Sequence, residues 1–125
     1  MASKNKKQPE EAQQAANQKR LSPVVVQYRT KTAPRLCDRT NEFKKDWARL
    51  EGSGRYDMSL LKTVMMHLIA NDGPLPGEYL DHPLSGDYKD HRDCHITGDW
   101  LLIYKISKND VIFARTGTHS ELFKK

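Results

Sequence analysis

Hydrophobic residues recur at helical spacing shortly after residue 40. Phe43, Trp47 and Leu50 lie three or four residues apart, which places them on one face of a helix predicted over residues 41–50. The sequence Glu51-Gly52-Ser53-Gly54 that follows contains the glycines that commonly end a helix. We therefore expect the first helix to end in this sequence.

A second helix is predicted after Asp57, whose side chain can cap its N-terminus. The turn sequence Asn71-Asp72-Gly73-Pro74 would end it. The apolar residues that keep the helical period in between are Met58, Leu61, Met65, Leu68 and Ile69. With a short strand predicted over residues 35–40, this region predicts a strand followed by an antiparallel pair of helices that share one apolar face.

Beyond Pro76 the hydrophobic period changes from helical to alternating. Strands are predicted over residues 92–96, 99–105 and 111–116. The turn sequences Thr97-Gly98 and Ser107-Lys108-Asn109-Asp110 separate them. A short terminal helix follows, because Thr118 and Glu121 have the spacing of a capping box. The second half is therefore a β meander that ends in a turn of helix.

The first 34 residues differ from the rest in composition. Residues 1–20 are rich in Lys, Gln, Asn, Glu and Ala and have almost no large apolar side chain, which predicts a disordered or weakly helical tail. Residues 22–28 form a short β-prone run, and both an extra edge strand and a linker are compatible with it. We expect a weakly ordered basic extension over residues 1–34 and one domain over residues 35–125, since 125 residues suffice for one core.

The charge is distributed unevenly along the chain. The formal net charge is +5, yet residues 1–34 carry seven basic and two acidic residues, whereas residues 35–125 carry 14 of each. The excess therefore says little about what the folded domain binds. Charged residues make up 30% of the chain and no apolar run approaches the roughly 18 residues of a membrane span. We expect a soluble, cytoplasmic protein in which Cys37 and Cys94 are free thiols.

Most of the histidines are concentrated in the predicted β half. They are His82, His91, His95 and His119, and several aspartates accompany them. Residues of equal parity share one face of a strand, so His91, Asp93 and His95 should project together. The opposite face of this strand would carry Arg92, Cys94 and Ile96.

His119 opens the predicted terminal helix, directly after the strand that bears Arg115. Free backbone N–H groups at a helix start can hold a phosphate, and the helix dipole favours an imidazole that exchanges protons near neutral pH. RNA cleavage without a metal needs a base for the 2′-hydroxyl, an acid for the leaving oxygen and a cation for the phosphate. His95, His119 and Arg115 could fill these roles if the fold brings them together.

Several of these residues also have a purely structural interpretation. A single histidine is more often a surface or hydrogen-bonded side chain than a catalytic one, and His67 in the second helix is assigned to that class. A zinc site in residues 91–95 has weak support, because the lone Cys94 points away from the histidines and no second Cys or His pair stands at zinc spacing.

The aromatic residues of the meander are expected to lie mainly in the core, because alternation buries one face of the sheet. Tyr104 and Phe113 belong to this group. Trp100 and Phe123 are the exceptions, and we regard them as candidates for contact with nucleic-acid bases.

Four sequence blocks occur in order after the helical pair. They are Leu80-Asp81-His82-Pro83-Leu84-Ser85-Gly86, Arg92-Asp93-Cys94-His95-Ile96, Asp99-Trp100-Leu101-Leu102-Ile103-Tyr104-Lys105 and Arg115-Thr116-Gly117-Thr118-His119-Ser120-Glu121-Leu122-Phe123. In these blocks the chain, from about Arg35 to Phe123, resembles the YafQ-like branch of the RelE/ParE toxin superfamily. Members are ribosome-dependent mRNA interferases of bacterial type II toxin–antitoxin pairs.

The resemblance implies an α+β fold in which a helical hairpin packs on a twisted antiparallel sheet, with a short C-terminal helix. It also implies cleavage of mRNA in the ribosomal A site by attack of a 2′-hydroxyl, which leaves a cyclic phosphate and requires no cofactor and no metal. The partners that it implies are a small cognate antitoxin, mRNA, rRNA and, through the antitoxin, operator DNA.

Residue roles follow from the matching motifs. The resemblance implies that the catalytic residues are His82, Asp93, His95, Asp99 and His119. His119 would act as general acid and His82 would position or activate the substrate, although the assignment of acid and base among the histidines stays open. Substrate binding is implied for Arg92, Trp100, Arg115 and Phe123.

Two features depart from the family pattern. His91 stands where an aromatic residue such as tyrosine is expected, and residues 1–34 fall outside the pattern altogether. An alternative function is that of a ParE-like member of the same fold, which inhibits DNA gyrase and has no ribonuclease activity. The histidines in the motif blocks argue against it, because a protein that only binds needs no proton donors. A role as corepressor at its own promoter is compatible with the main hypothesis.

Overall fold

The computed structural model of the protein describes residues 33–123. In chain order the elements are β1 (Leu36–Arg39), α1 (Asn41–Ser53), α2 (Met58–Ala70), β2 (His82–Pro83), β3 (Arg92–Thr97), β4 (Trp100–Ile106), β5 (Asp110–Thr118) and α3 (His119–Leu122). Single turns of 3₁₀ helix at Gly77–Tyr79 and Gly86–Tyr88 flank β2. Nearly all of the predicted extension, including the run 22–28, lies outside the described residues, so the domain boundary at residue 34 stays a prediction.

Local capping explains where the helices begin and end. The Thr40 hydroxyl accepts a hydrogen bond from the Phe43 N–H at the start of α1, and Asp57 accepts one from the Ser59 N–H at the start of α2. α1 continues to Ser53, three residues beyond the predicted end, because Gly54 rather than Gly52 adopts the left-handed conformation that ends it. The two predicted helices and the Asp57 cap are confirmed, and the Thr40 cap is an additional finding.

The sheet has five strands in the order β1-β5-β4-β3-β2. β1 pairs with β5 in parallel, whereas the other neighbours are antiparallel. The sheet is therefore mixed rather than antiparallel throughout. A parallel pair needs a long connection between its strands, and α1, α2 and the antiparallel strands supply it between β1 and β5.

The two faces of the sheet have different surroundings. One face, here called the helix face, packs on α1 and α2 through Cys94, Ile96, Trp100, Leu102, Tyr104 and Phe113. The other, called the histidine face, carries His82, Asp93, His95, Leu101, Ile103 and Arg115 in register across β2 to β5. A second, smaller apolar cluster of Leu101, Ile103, Ala114 and Leu122 supports the histidine face.

A β-bulge at Ala114 decides which face Arg115 joins. Tyr104 pairs with Phe113 on the helix face, but its neighbour Ile103 pairs with Arg115, so Ala114 is an extra residue in β5. Without the bulge, strict alternation would place Phe113 and Arg115 on the same face. The bulge therefore brings Arg115 to the histidine face.

Both cysteines are free thiols, as predicted; Cys37 is exposed and Cys94 is buried in the core. No helix within residues 33–123 is long and apolar enough to cross a membrane.

Candidate active site

Three histidines surround one buried carboxylate on the histidine face. Asp93 is only 3% exposed, and burial raises the pKa of its carboxyl group, while the charges of His82, His95 and His119 act in the opposite direction. His82 reaches Asp93 from β2, His95 lies two residues further along β3, and His119 comes from the start of α3. The expected convergence of these histidines is present in the fold.

His82 and Asp93 form the closest pair in this cluster. His82 Nε2 lies 3.2 Å from Asp93 Oδ1, but the contact lacks hydrogen-bond geometry, and Oδ1 has no hydrogen-bond donor among residues 33–123. His82 Nδ1 lies 2.7 Å from the Leu80 carbonyl oxygen, so Nδ1 must carry a proton to donate there. A hydrogen bond between Nε2 and Oδ1 then needs one further proton, shared by the pair.

Asp81 fixes the position of the segment that carries His82. Its carboxylate accepts hydrogen bonds from the Tyr104 hydroxyl at 2.5 Å and from Arg92 Nε at 3.2 Å. Burial, together with the Asp81 carboxylate, raises the pKa of Tyr104, so its hydroxyl remains a donor. Asp81 directly precedes His82. Its hydrogen bonds to Arg92 and Tyr104 on the helix face therefore help to fix where the His82 imidazole lies on the histidine face.

His95 and His119 are the least constrained imidazoles of the cluster. Neither ring nitrogen of either residue makes a hydrogen bond within residues 33–123, and the ring of His119 packs against Phe123 with centroids 4.9 Å apart. His119 is exposed, and His95 is half-buried. Imidazoles without fixed partners can take up and release protons, which is what acid–base catalysis requires.

A row of aromatic rings borders the histidines. Phe123 contacts Tyr88 with ring centroids 5.8 Å apart, and Tyr88 contacts His91 at 5.7 Å, both edge to face. Partly buried rings of this kind can form a platform for nucleic-acid bases. His91, which replaces the expected aromatic residue, thus joins the row and also lies within 3.2 Å of the Lys89 carbonyl oxygen through Nδ1.

Arg115 is held by a buried carboxylate from α1. Asp46 accepts hydrogen bonds from Arg115 Nε at 2.7 Å and Nη2 at 3.2 Å, and from the Thr116 N–H at 3.1 Å. These contacts raise the pKa of Arg115 above its ordinary value, so the guanidinium stays charged. Nη1, 3.5 Å from the Tyr88 hydroxyl, keeps donor capacity for a phosphate.

A second chain of contacts positions α3. The Thr118 side chain accepts from the Glu121 N–H and the Glu121 carboxylate accepts from the Thr118 N–H, which forms the predicted capping box. Glu121 also pairs with Arg49 Nη1 at 2.9 Å. A Cβ atom at Gly117 would lie 2.8 Å from Glu121 Oε1, so only glycine leaves room for this arrangement.

Two of the N–H groups at the start of α3, where a phosphate site was predicted, have acceptors within the protein. The His119 N–H donates to the Asp99 carbonyl oxygen at 3.1 Å, and the Glu121 N–H donates to Thr118. With these two donors occupied and a helix of only four residues, Arg115 is the stronger candidate for a phosphate contact, and the site at the start of α3 stays a prediction.

Three predicted site residues lie away from the histidine face. Trp100 is 2% exposed in the core and donates from Nε1 to the Thr116 hydroxyl, so it supports the fold and cannot stack on a base. Arg92 projects to the helix face, where it bonds Asp81; sheet parity excludes it from the histidine face. Asp99 contacts His119 only through its backbone, and its side chain lines a neighbouring cleft.

The structure also tests the alternative interpretations. Cys94 is fully buried on the helix face, and burial raises the pKa of its thiol, so it cannot complete a zinc site with His95. Within residues 33–123 no group of three or more His, Cys, Asp or Glu is arranged to hold a metal ion. His67 Nε2 lies within hydrogen-bond distance of the Gly73 and Pro74 carbonyl oxygens, which confirms its structural assignment.

Sequence reasoning missed two residues of the site. Asp46 lies on the buried face of α1 with Phe43 and Leu50, and a charged residue in an apolar stripe is a signal that sequence analysis could have used. Tyr88 ends the single turn of 3₁₀ helix after β2, which is too short for a periodic pattern to mark it.

Comparisons with known proteins show which sequences resemble this chain. The family described as "Bacterial toxin of type II toxin-antitoxin system, YafQ" matches residues 35–124. The protein named mRNA interferase toxin YafQ from Escherichia coli (strain K12) is 45% identical over 84 residues, which cover 67% of this chain and 90% of that protein.

Two solved structures show the same fold. The crystal structure of YafQ from E. coli strain BL21(DE3) superposes with a TM-score of 0.66 at 43% identity and covers 71% of this chain and 98% of that one. The E. coli DinJ-YafQ toxin-antitoxin complex matches with a TM-score of 0.66 at 43% identity, over 73% of this chain and 99% of that one.

Proposed function

Because the chain belongs to the YafQ family of bacterial toxins of type II toxin–antitoxin systems, we propose that it is an endoribonuclease that cleaves ribosome-bound mRNA by acid–base catalysis without a metal ion. The observation that carries this proposal is the buried carboxylate of Asp93 with His82, His95 and His119 around it. Curated relatives named mRNA interferase toxin support the same reaction class.

The proposed reaction needs two proton transfers. A base removes the proton of the 2′-hydroxyl, whose oxygen attacks the adjacent phosphorus. The bond to the 5′-oxygen of the next nucleotide breaks, and an acid protonates that oxygen, which leaves a 2′,3′-cyclic phosphate and a free 5′-hydroxyl. His95 is assigned as the base and His119 as the acid, since their ring nitrogens make no hydrogen bonds among the described residues. Arg115 would neutralise the phosphate through Nη1.

The pair of His82 and Asp93 would set the charge beside the reacting groups. When the two share one proton, the pair is either an ion pair or a neutral pair, and its net charge is zero in both states. A pair with zero net charge adds no negative charge beside the neighbouring imidazoles, unlike an unpaired buried carboxylate.

The same surface offers a rationale for toxin control. The relative's complex with DinJ is a toxin-antitoxin complex, and we propose that a cognate antitoxin likewise neutralises this chain by covering the histidine face. Contact with rRNA and action in the cytoplasm belong to the same proposal, as does a division of the chain at residue 34 into a basic extension and the toxin domain.

The proposal is tested with mRNA in a translating extract. His119→Gln and His95→Gln should each lower the cleavage rate by about 10²–10⁴-fold, whereas His67→Gln, a change of the same type outside the site, should leave it near the wild-type rate. Chelation of divalent metals from the protein before assay should not change cleavage of preformed ribosome complexes. Equal cleavage by the two site variants and the wild type would overturn the assignment, and inhibition of DNA gyrase instead would favour the ParE-like alternative.

A further inference from the structure

A cleft of ≈ 420 Å³ opens between the helical pair and the end of the sheet, beside the residue that precedes α3, and the proposed reaction does not use it. Its walls come from the loop between α1 and α2, from the first turn of α2 and from the β3–β4 turn. Residues that line it include Arg55, Tyr56, Leu60, Asp99 and Thr118. The cleft therefore contains Asp99, which the family motif marks but which contacts His119 only through its backbone.

The cleft and the proposed acid share a wall. Thr118 lines the cleft and directly precedes His119, and the His119 N–H is hydrogen bonded to the Asp99 carbonyl oxygen. An RNA strand that presents its phosphate to His119 can therefore place the neighbouring nucleotide in the cleft without leaving the protein surface.

The lining supplies the groups that recognise a nucleotide. Leu60 is 42% exposed, and the Tyr56 ring is held edge-on against Trp100 with centroids 5.0 Å apart, so the wall offers a fixed apolar surface to a base. The Arg55 guanidinium and the Asp99 carboxylate form no salt bridge and no side-chain hydrogen bond within residues 33–123. A cation and an acceptor are both available to a ligand.

We propose that this cleft binds the nucleotide adjacent to the scissile phosphate and prefers a base with an exocyclic amino group, which means adenine, cytosine or guanine rather than uracil. The Asp99 carboxylate can only accept hydrogen bonds, so it favours an exocyclic amino group. Uracil offers only its N3–H, which lies between two carbonyl oxygens that the carboxylate repels. Arg55 contacts the backbone phosphate of the same nucleotide. The inference rests on the proposed function, because it assumes that His119 faces RNA.

The base preference is measured on ribosomes that carry mRNAs with each of the four bases at each position flanking the cut. With the wild-type protein, uracil at one flanking position should slow single-turnover cleavage by about tenfold. Leu60→Trp fills the cleft and should reduce that penalty to less than about twofold. Met66→Trp, at an exposed position of the same helix outside the cleft, should keep it.

The cation is tested separately by binding to short single-stranded RNA oligonucleotides. Arg55→Ala should weaken binding equally for all bases and lower the slope of log affinity against log salt by about 1, whereas Arg39→Ala, outside the cleft, should not. Equal cleavage of all four bases, or an unchanged penalty in Leu60→Trp, would overturn the base preference. An unchanged salt slope in Arg55→Ala would overturn the phosphate contact. Failure of the proposed function is a different result: the wild-type protein would cleave none of the mRNAs.

Discussion

The helix face and the histidine face are built from alternate residues of the same strands, yet they differ in almost every property. Cys94 and Leu102 are fully buried beneath the helices, while their neighbours Asp93, His95 and Ile103 project to the other side. One face consists of close-packed apolar side chains, and the other combines a buried carboxylate with imidazoles. Substitutions on the helix face should therefore mainly change the free energy of unfolding, and those on the histidine face should mainly change the rate of cleavage.

The largest expected effect on stability comes from the helix face. Phe113→Ala removes a fully buried ring that packs on Phe43, and we expect it to lower the free energy of unfolding by about 3–5 kcal/mol. Ile112→Ala, at the next residue and on the exposed side of β5, should cost less than about 1 kcal/mol. Urea denaturation measures both, and comparable losses would contradict the division into two faces.

Asp46→Asn should affect both properties, because Asp46 belongs to α1 but holds Arg115 on the other face. The amide cannot accept from all the donors that now surround the carboxylate, and we expect a loss of about 2–3 kcal/mol in unfolding free energy. Cleavage should fall by about tenfold because Arg115 loses its orientation. Glu42→Gln, an exposed change in the same helix, is the control; wild-type cleavage in folded Asp46→Asn would show that Arg115 needs no support.

Asp93→Asn should increase the stability of the protein, whereas Asp46→Asn should decrease it. The folded state raises the pKa of this carboxyl from 3.8, so the folded protein binds its proton more tightly than the unfolded chain. This stabilisation is complete below pH 3.8 and is lost as the pH rises through the higher folded value. Compared with the wild type, Asp93→Asn should gain about 1–2 kcal/mol of unfolding free energy towards neutral pH and lose cleavage.

Denaturation series from about pH 4 to about pH 8 test this prediction, with Asp87→Asn, an exposed carboxylate, as control. The test depends on whether the stability difference between Asp93→Asn and the wild type grows or shrinks as the pH rises. A difference between Asp93→Asn and wild type that shrinks as the pH rises would mean that the surrounding histidine charges outweigh the burial of the carboxylate.

The smallest effect is expected for Arg49→Ala. Arg49 and Glu121 are 44% and 38% exposed in their salt bridge, so water and salt weaken that attraction. Arg49 Nη2 also contacts the buried Asp46 carboxylate at 3.2 Å, which keeps its two other donors, and we expect a combined loss of about 1 kcal/mol at most. Cleavage should change by less than about twofold, since the capping box still holds α3. A much larger loss of cleavage, measured alongside the same denaturation curves, would make this exposed pair a determinant of the position of His119.

Local patterns predicted much of this molecule. Helical periodicity in α1 and α2 and the capping box at Thr118 depend on residues three or four positions apart, and parity in β3 correctly separated Asp93 and His95 from Arg92 and Cys94. The family motifs supplied His82 and Phe123, which periodicity alone does not distinguish.

Contacts between distant residues were not predictable in this way. The hydrogen bonds between Asp46 and Arg115 join residues 69 positions apart, and no local pattern marks such a pair. The burial of Trp100 depends on Tyr56 and Thr116 from other elements. The residue types around Ala114 do not predict the extra residue in β5. Simple alternation would therefore have assigned Arg115 to the helix face, together with Phe113.

The extra residue in β5 makes the effect of a deletion depend on where in the strand it falls. Deleting Ala114 would leave Phe113 and Arg115 adjacent, and ordinary alternation would still hold them on opposite faces, so the bulge would disappear without an exchange of sides. Deleting the exposed residue Ile112 would instead make Val111 and Phe113 adjacent, and one of these two fully buried side chains would have to turn out of the core. A toxin of this design can thus be disarmed by a three-nucleotide deletion that touches none of its histidines.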